Sequence, residues 1–476
     1  MGNAVLLWSL TAVICLIYAV ISISARSRAN TSFSHYAIGK GSFPFVLMFF
    51  TYFATIMGAG NFFGHAGSAY DNGLPWLAYI FGEQGAKLVF ALVFAGMAGA
   101  FSYSTLPEML DDIVVKDRAT RALTAIMLTI LLVAMIGGQS KALGQIFAQF
   151  TGADPRPIMI GFSLVFILFT CFGGIYSVIW NDLVQGILCC VFASVFYIFA
   201  FSKVDYSFKI LGEKLVAVGR SELWSFESVS GFNLFNKFFT GLIGILVSQV
   251  IWQRCFSSKN AGEAKRSLFF SGIICIIFTM LTAFVGLIIV TLNQNLNANT
   301  AMSWFMANMM PKSLAVMIFL LVLCAGMSTA NSALNSCAIV IVNDLIKPLF
   351  PEMKDKSLIL WAKIVTIAVG VASCIAGIYA NSIYSLISGS NTLAASALAP
   401  LVIIGLFWRR NSSGHQMGTL NNRVTPWAAR LSILTGFLCA LFPVFPDAPT
   451  LWAVCAGSAV LIAVSLMSAF NKKQIE

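Results

Sequence analysis

The sequence predicts an all-α polytopic membrane protein with about thirteen transmembrane helices. Composition is the first reason: of 476 residues, 59% are hydrophobic and only 10% charged, where soluble domains carry about 25% charged residues. Mean hydropathy is +0.87. The second reason is grouping. Roughly 20 apolar residues make one bilayer-crossing helix, and runs of that kind recur at 4–24, 43–69, 73–101, 121–149, 157–173, 175–201, 232–252, 267–293, 312–342, 358–380, 383–408, 428–444 and 449–470. The third is charge. With the N-terminus outside, nineteen Lys and Arg fall in the cytoplasmic connections and seven in the outer ones, leaving Lys87, Lys141 and Lys363 within spans. Positive residues collect on the cytoplasmic side, so the N-terminus is expected outside and the C-terminus inside, which requires an odd number of spans.

No window reads as a soluble domain, so residues 1–476 form one transmembrane domain. The start Met-Gly-Asn-Ala-Val has neither the basic region nor the small-residue cleavage site of a signal peptide, and 4–24 reads as a retained span. The Ser or Thr of a myristoylation site is also missing. The net charge of +11 follows from the positive-inside bias and does not imply a nucleic-acid partner. Eleven cysteines form no CxxC pair and sit in apolar runs as small packing residues. The connection 102–120 carries Leu-Pro-Glu-Met-Leu-Asp-Asp-Ile, which predicts a short amphipathic helix at the inner surface. In the longest outer loop, 202–231, Trp224 and Phe226 either lie on the membrane surface or cover an outer vestibule. No internal repeat is visible.

Chemistry concentrates in two stretches. Residues 53–67 place Gly58, Gly60, Gly64 and Gly67 in one span, with Asn61 and His65 among them. Small residues let helices pack closely. They also let a span unwind, and unwound backbone is tolerated at membrane depth only where it lines a cavity or is covered by protein; transporters place substrate and ion at such breaks. Residues 324–344 place Ser328, Thr329, Asn331, Ser332, Asn335 and Ser336 in about two helical turns. Six oxygen-bearing side chains so close together serve either interhelical hydrogen bonding or a hard cation, which takes several oxygens. Carbonyls freed near Ala54 and Met57 can complete the second arrangement. Asp182, early in a span, is a functional candidate because an intramembrane carboxylate is costly. There is no His/Cys cluster, Ser-His-Asp arrangement or phosphate-binding glycine loop, so an enzyme is not expected.

These residues lie among motifs that resemble the sodium:solute symporters, the group of the bacterial proline, pantothenate, sialic-acid and galactose symporters and the animal choline and glucose carriers. The motifs are Tyr36-Ala-Ile-Gly-Lys40, the Gly-Gly…Asn-Asp182-x-x-Gln185 element, the run from Trp252 to Arg266, Ala325-Gly-Met-Ser-Thr329, and Gly405-Leu-Phe-Trp-Arg-Arg410 followed by Ser413-Gly414. The resemblance implies a LeuT-like fold: inverted five-helix repeats at about 43–201 and 232–408, one extra helix before them and two after, at 428–470. It implies a bacterial inner-membrane or other plasma-membrane location, with lipid and a small organic solute as partners and no obligate protein partner. It also implies a Na+ site made by the carbonyls of Ala54, Met57 and Ala325 and the hydroxyls of Ser328 and Thr329. For a second Na+, Asp182 and Ser332 match the family pattern, but Asn331 stands where a serine is usual.

The resemblance places the solute beside the broken helix. Asn61 matches a position that reads polar groups. Ser248 and Gln249 match an Asn-Gln pair of sugar carriers, and Ser248 departs from it. Glu83 and Lys87 are four apart and can pair. Lys141 either pairs with Glu83 or meets a solute carboxylate, with Gln139 helping to orient the ligand. The expectation is therefore sodium-coupled import of a small, carboxylate-bearing solute. A neutral or cationic solute, or a sensor that binds without carrying, stands as the alternative.

Overall fold

The computed structural model describes residues 2–98, 103–380, 383–409 and 422–475. Among them every named element is helical, and extended pairing is limited to the isolated bridges Phe43–Ser258 and Arg409–Asn422. Each of the thirteen apolar segments coincides with a helix or with two helices joined at a break. By length and composition seven helices can cross a bilayer, or nine if each of two bent pairs is one span. The count of thirteen spans remains a sequence expectation for shorter or more polar helices such as Trp76–Val93 and Pro426–Leu441. Arg410, Ser413 and Gly414, and the end of the third predicted span at 99–101, lie outside the described residues.

The continuous element Pro155–Ser202 has 48 residues. Straight, it would be about 72 Å long at 1.5 Å per residue, more than twice the bilayer core. Gly174, at φ 48° and ψ −138°, divides it. A Cβ there would lie 2.6 Å from the Tyr36 carbonyl oxygen, so both the backbone angle and the close approach require glycine. The apolar runs 157–173 and 175–201 are thus two helices.

Two further breaks set up the site. Phe45–Ile56 and Ala59–Asn72 meet at a 46° bend, and Gly231–Leu246 and Gln249–Ser257 at 44°. The helix Lys312–Val340, buried along almost its whole length from Ala315, packs against Arg118–Thr151, the 175–202 helix and the first broken helix. Facing outward are large apolar side chains such as Leu16 and Ile198, 66% and 60% exposed. In water such a surface would aggregate; here it is the face offered to lipid.

The amphipathic helix of the 102–120 connection forms at Leu106–Ile113, its N-terminus capped by Thr105. Its apolar side chains Leu106, Met109 and Leu110 are buried by protein, not laid on the membrane surface as the sequence predicts. Trp224 likewise packs against Phe284, with ring centroids 6.3 Å apart, while Phe226 stays exposed. The Leu223 carbonyl accepts from Leu74 N–H at 2.8 Å and ties this outer loop to the end of the first broken helix. At the start of Arg118–Thr151, Asp117 accepts from Arg430 Nε and Nη2 at 2.8 and 2.5 Å, and that pairing holds its carboxyl below the usual carboxylate range. One charge was misplaced by the sequence reading. Arg254, assigned to a cytoplasmic connection, is fully buried; removing it leaves eighteen charges against seven and the bias stands.

Candidate functional site

The first break begins where the helical ladder stops, at Met57 N–H to the Phe53 carbonyl, 3.0 Å. The ladder resumes with Asn61 and Phe62 N–H on the Gly58 carbonyl, at 2.9 and 3.3 Å. Opposite this gap stands Thr329. Its hydroxyl donates to the Thr55 carbonyl at 2.7 Å and to the Ala325 carbonyl at 3.0 Å. Thr329 thus ties the break at Thr55 to Ala325, and Ala54, Met57 and Ser328, the other residues expected at the ion, are buried on the same two elements. The set consists of neutral oxygens from two helices, and one backbone stretch is released from its own ladder. That donor set suits a monovalent hard cation. Gly58 permits the approach, since a Cβ there would lie 2.4 Å from Thr329 Oγ1. Gly58→Ala should cost about 1–3 kcal/mol through overpacking and blunt any sodium-induced rise in melting temperature, measured by thermal unfolding in NaCl against KCl.

Beside the gap lies a charged network that the sequence reading only half found. Asp182 accepts from Ser328 Oγ at 2.5 Å and from the Thr51 hydroxyl. Arg254 Nη2 sits 3.2 Å from Asp182 Oδ2 and also donates to Thr55 Oγ1 at 2.7 Å and Ser332 Oγ at 2.5 Å. Arg254 Nε donates to Thr51 Oγ1 at 3.0 Å. Of the residues expected around a second Na+, Asp182 and Ser332 thus share one guanidinium. The side-chain amide of Asn331 is buried without a hydrogen-bond partner. Arg254 was legible only in retrospect, because Cys255 and Phe256 follow it and no further charge comes before Lys259.

The break forms the floor of a cavity of about 470 Å³ whose wall includes Thr55, Asn61, Gln139, Ser248, Thr329 and Glu83. The wall also includes Asn72 and Asn299, both exposed, and the half-buried Lys237. Away from the cavity lining, Arg121 donates to Asp344 Oδ1 at 2.8 Å, and Thr105 Oγ1 to the same oxygen at 3.0 Å. Gln249 turns to the neighbouring helix Leu106–Ile113. Its side-chain oxygen accepts Leu106 N–H at 2.8 Å, so it faces away from the cavity while its neighbour Ser248 lines it. Each cavity-lining residue of this group sits at a break or on a helix facing one.

Two expectations for the solute wall are corrected. Lys141 does not line the cavity; its ammonium donates to the carbonyls of Ala380, at 2.6 Å, and Gly377, at 3.3 Å, capping the end of the Asp355–Tyr379 helix. Exposed helix-end carbonyls are a ready cation site, which is why this lysine turned there and not to Glu83. Glu83 and Lys87 do not pair directly: Gln84 stands between them, giving its side-chain N–H to Glu83 Oε2 at 2.8 Å and accepting from Lys87 Nζ. His65 lines the same cavity, with Nε2 3.1 Å from Glu83 Oε2 and Nδ1 accepting Trp76 Nε1–H at 3.1 Å. Lys141→Met should leave solute-induced stabilisation unchanged within about twofold, because the group lies outside the wall, and should lower the melting temperature by the loss of a charged hydrogen bond worth about 1.5–3 kcal/mol.

The model of the sodium:solute symporter family matches residues 36–421. The chain belongs to the sodium:solute symporter family. As a member of this symporter family it is a membrane transporter and not an enzyme, and its family couples transport to Na+. Its relatives include high-affinity choline transporter 1 of Drosophila melanogaster, 24% identical over 86% of this chain and 67% of its own length. The sodium/sialic acid symporter SiaT of Proteus mirabilis is 25% identical over 85% of each. Sodium/myo-inositol cotransporter 2 of Oryctolagus cuniculus is 23% identical over 81% of this chain and 62% of its own length. Among solved structures, a substrate-bound, outward-open Na+-coupled sialic acid symporter superimposes with a TM-score of 0.81 at 18% identity, over 98% of both chains. A nucleobase-cation-symport-1 family transporter in a closed conformation gives 0.64 at 15% identity, over 91% of this chain and 95% of that one. These likenesses establish the fold, which is that of LeuT-like transporters.

Proposed function

We propose that this symporter imports a small organic solute together with one Na+ by alternating access. The observation that carries the reading is the interrupted helix at Met57–Gly58, held by Thr329 at the wall of a cavity of about 470 Å³. Sodium held by Ala54, Met57, Ala325, Ser328 and Thr329 would join the broken helix to Lys312–Val340 and stabilise the wall the solute touches. Helices 43–201 and 232–408 act as the two inverted repeats, a reading supported by the matching breaks near the start of each. Asp182 is already neutralised by Arg254, so one ion is enough for the reading. One Na+ moving inward gains about 2.3 kcal/mol per 100 mV, and a tenfold gradient adds about 1.4 kcal/mol. The sum supports roughly several-hundred-fold accumulation.

The solute's class follows from the wall. The carboxylate reading leaned on Lys141, which is elsewhere, and the ammonium of Lys87 is buried behind Gln84. Among the charged side chains that line the cavity, alongside Asp71, Lys87 and Lys237, Glu83 is 24% exposed, and its contacts to His65 and Gln84 both use Oε2. This favours a solute presenting ammonium or hydroxyl donors: an amino acid engaged through its ammonium, an amine or a polyol. Asn61, Gln139 and Ser248 supply neutral contacts at the other end. The N-terminus faces outside in this reading, and the membrane is a plasma membrane.

The test is thermal unfolding of the purified protein in NaCl and in KCl, with L-proline, choline, myo-inositol and sialic acid as probes. A probe that stabilises only with sodium present establishes coupling, since a ligand that binds the folded state alone raises stability by mass action. If sodium shifts nothing, with or without a probe, the ion site is wrong.

A further inference from the structure

We infer that the slot between the helices Phe45–Ile56 and Ala261–Leu292 is a lipid site, holding one acyl chain of an anionic phospholipid whose phosphate rests on Arg266. The slot follows from two periodic faces. Phe45 and Phe49 are four apart on the first half of the broken helix, and Phe270, Ile273 and Ile274 have the i, i+3, i+4 spacing on the second helix, so each set shares one face. Together these five apolar side chains line a cavity of about 340 Å³, a volume within the range of small-molecule sites. The rings of Phe45 and Phe270 meet edge to face, with centroids 6.2 Å apart. Val46, Phe270 and Ile277 beside it are exposed, which puts the slot on the lipid-facing surface.

The chemistry at one end of the slot selects the occupant. The two helices enter the bilayer at the same face, because just ahead of both Lys259 N–H donates to the Phe43 carbonyl at 2.9 Å and Phe43 pairs with Ser258. There the Arg266 guanidinium lies over the Phe45 ring, 5.9 Å from its centre, and one helical turn before Phe270. Lys259 and Lys265 flank it, and Glu263 is the one acid between Ser258 and Leu268. Among the described residues neither Arg266, Lys265 nor Glu263 enters an ion pair, and Glu263 Oε2 is buried without a hydrogen-bond partner. A guanidinium matches phosphate with its fork of N–H donors, and anionic lipid draws Lys and Arg at the cytoplasmic face, the face to which the charge bias assigns this end. An apolar slot that opens to hydrocarbon beneath an unpaired cation fits a phospholipid of net negative charge. A water-soluble anion has nothing with which to fill the slot. The site also bears on the ion gap. Phe49 stacks on Phe53, with centroids 6.5 Å apart at 3°, and Phe53, fully buried next to Ala54, meets Phe278 of Ala261–Leu292 at 5.4 Å. A chain in the slot therefore braces the half of the broken helix that ends at Met57.

The lipid site does not depend on the identity of the solute or on the ion. Purified protein, freed of lipid in detergent, is titrated with dioleoyl phosphatidylglycerol or dioleoyl phosphatidylcholine, and retained lipid is counted by native mass spectrometry. Wild type should hold the phosphatidylglycerol roughly fivefold more tightly, the effect of about one basic contact at the membrane surface. Arg266→Gln should abolish that preference; the side chain is exposed, so its loss leaves the core untouched. Ile274→Trp, which fills the slot, should weaken both lipids roughly tenfold, as for about two methylenes left unburied. Glycerol phosphate, the head without its chains, should displace neither lipid. An unchanged preference in Arg266→Gln or unchanged retention in Ile274→Trp overturns the site. Displacement by glycerol phosphate overturns it too, by reducing it to an anion patch on the surface. Should Ile274→Trp fail to fold, dihexanoyl phosphatidylglycerol on wild type decides, since chains too short to fill the slot should bind roughly tenfold or more less tightly. A second readout follows the helix. In nanodiscs, hydrogen exchange across Phe45–Ile56 should be slower with phosphatidylglycerol than with phosphatidylcholine, and the difference should vanish in Arg266→Gln. Equal exchange in the two lipids overturns the brace.

Discussion

Replacing Arg254 by alanine should destabilise the protein by about 3–5 kcal/mol, the usual consequence of leaving a buried charge without its partner. Asp182 and Arg254 are both essentially inaccessible, 3.2 Å apart, and the guanidinium also serves Thr51, Thr55 and Ser332. Asp182→Asn combined with Arg254→Met should recover part of the loss, because replacing both charges removes the desolvation cost together with the attraction. A specific consequence separates this pair from an ordinary structural one. Without Arg254, the Asp182 carboxylate faces the hydroxyls of Thr51, Ser328 and Ser332, a charged oxygen cradle beside the proposed ion site. The variant's melting temperature should then rise more steeply with sodium concentration than the wild type's, and no more steeply with potassium. Identical sodium slopes in the two proteins would show that the guanidinium is not doing the work of a fixed cation at this position.

The second large effect is expected at Ser328 and Thr329. Ser328→Ala and Thr329→Ala should each weaken sodium binding roughly 10- to 100-fold, as expected for losing a hydroxyl worth about 1.5–3 kcal/mol to a charged partner. The readout is the sodium-dependent shift in melting temperature, which falls with occupancy at fixed sodium. Ser336→Ala is the control. Its hydroxyl lies on the same helix but donates to Gln253 Oε1 at 2.5 Å, away from the break, and its sodium response should match the wild type. If Ser336→Ala lost the response as fully as Thr329→Ala, the effect would belong to helix packing and the five-oxygen site would fail.

Much of this molecule was legible in the chain alone, for a physical reason. A bilayer demands long apolar runs, so segment positions from 4–24 to 449–470 were fixed by solvent chemistry before any contact formed. The glycines around Met57 and the hydroxyls from Ser328 to Ser336 stood out because lipid cannot satisfy freed backbone or polar side chains. The side-chain directions inside the bundle were another matter. Hydropathy could not show that Arg254 lies in the core against Asp182. Nor could it show that Lys141 turns to the end of the Asp355–Tyr379 helix, or that Gln249 turns to Leu106 while Ser248 lines the cavity. Glu83 and Lys87 have the spacing of a pair, yet Gln84 separates them. Local spacing sets which residues can meet on one helix; which neighbour is nearest is decided by how separate helices pack. Sequence by itself therefore determined the membrane class, the helix positions and the places of the glycine break and of the hydroxyl cluster that faces it. Tertiary packing alone decided which charges are neutralised within the protein and which, like Glu83, are left facing the cavity, because a buried charge takes its partner from whatever helix lies within a few ångströms.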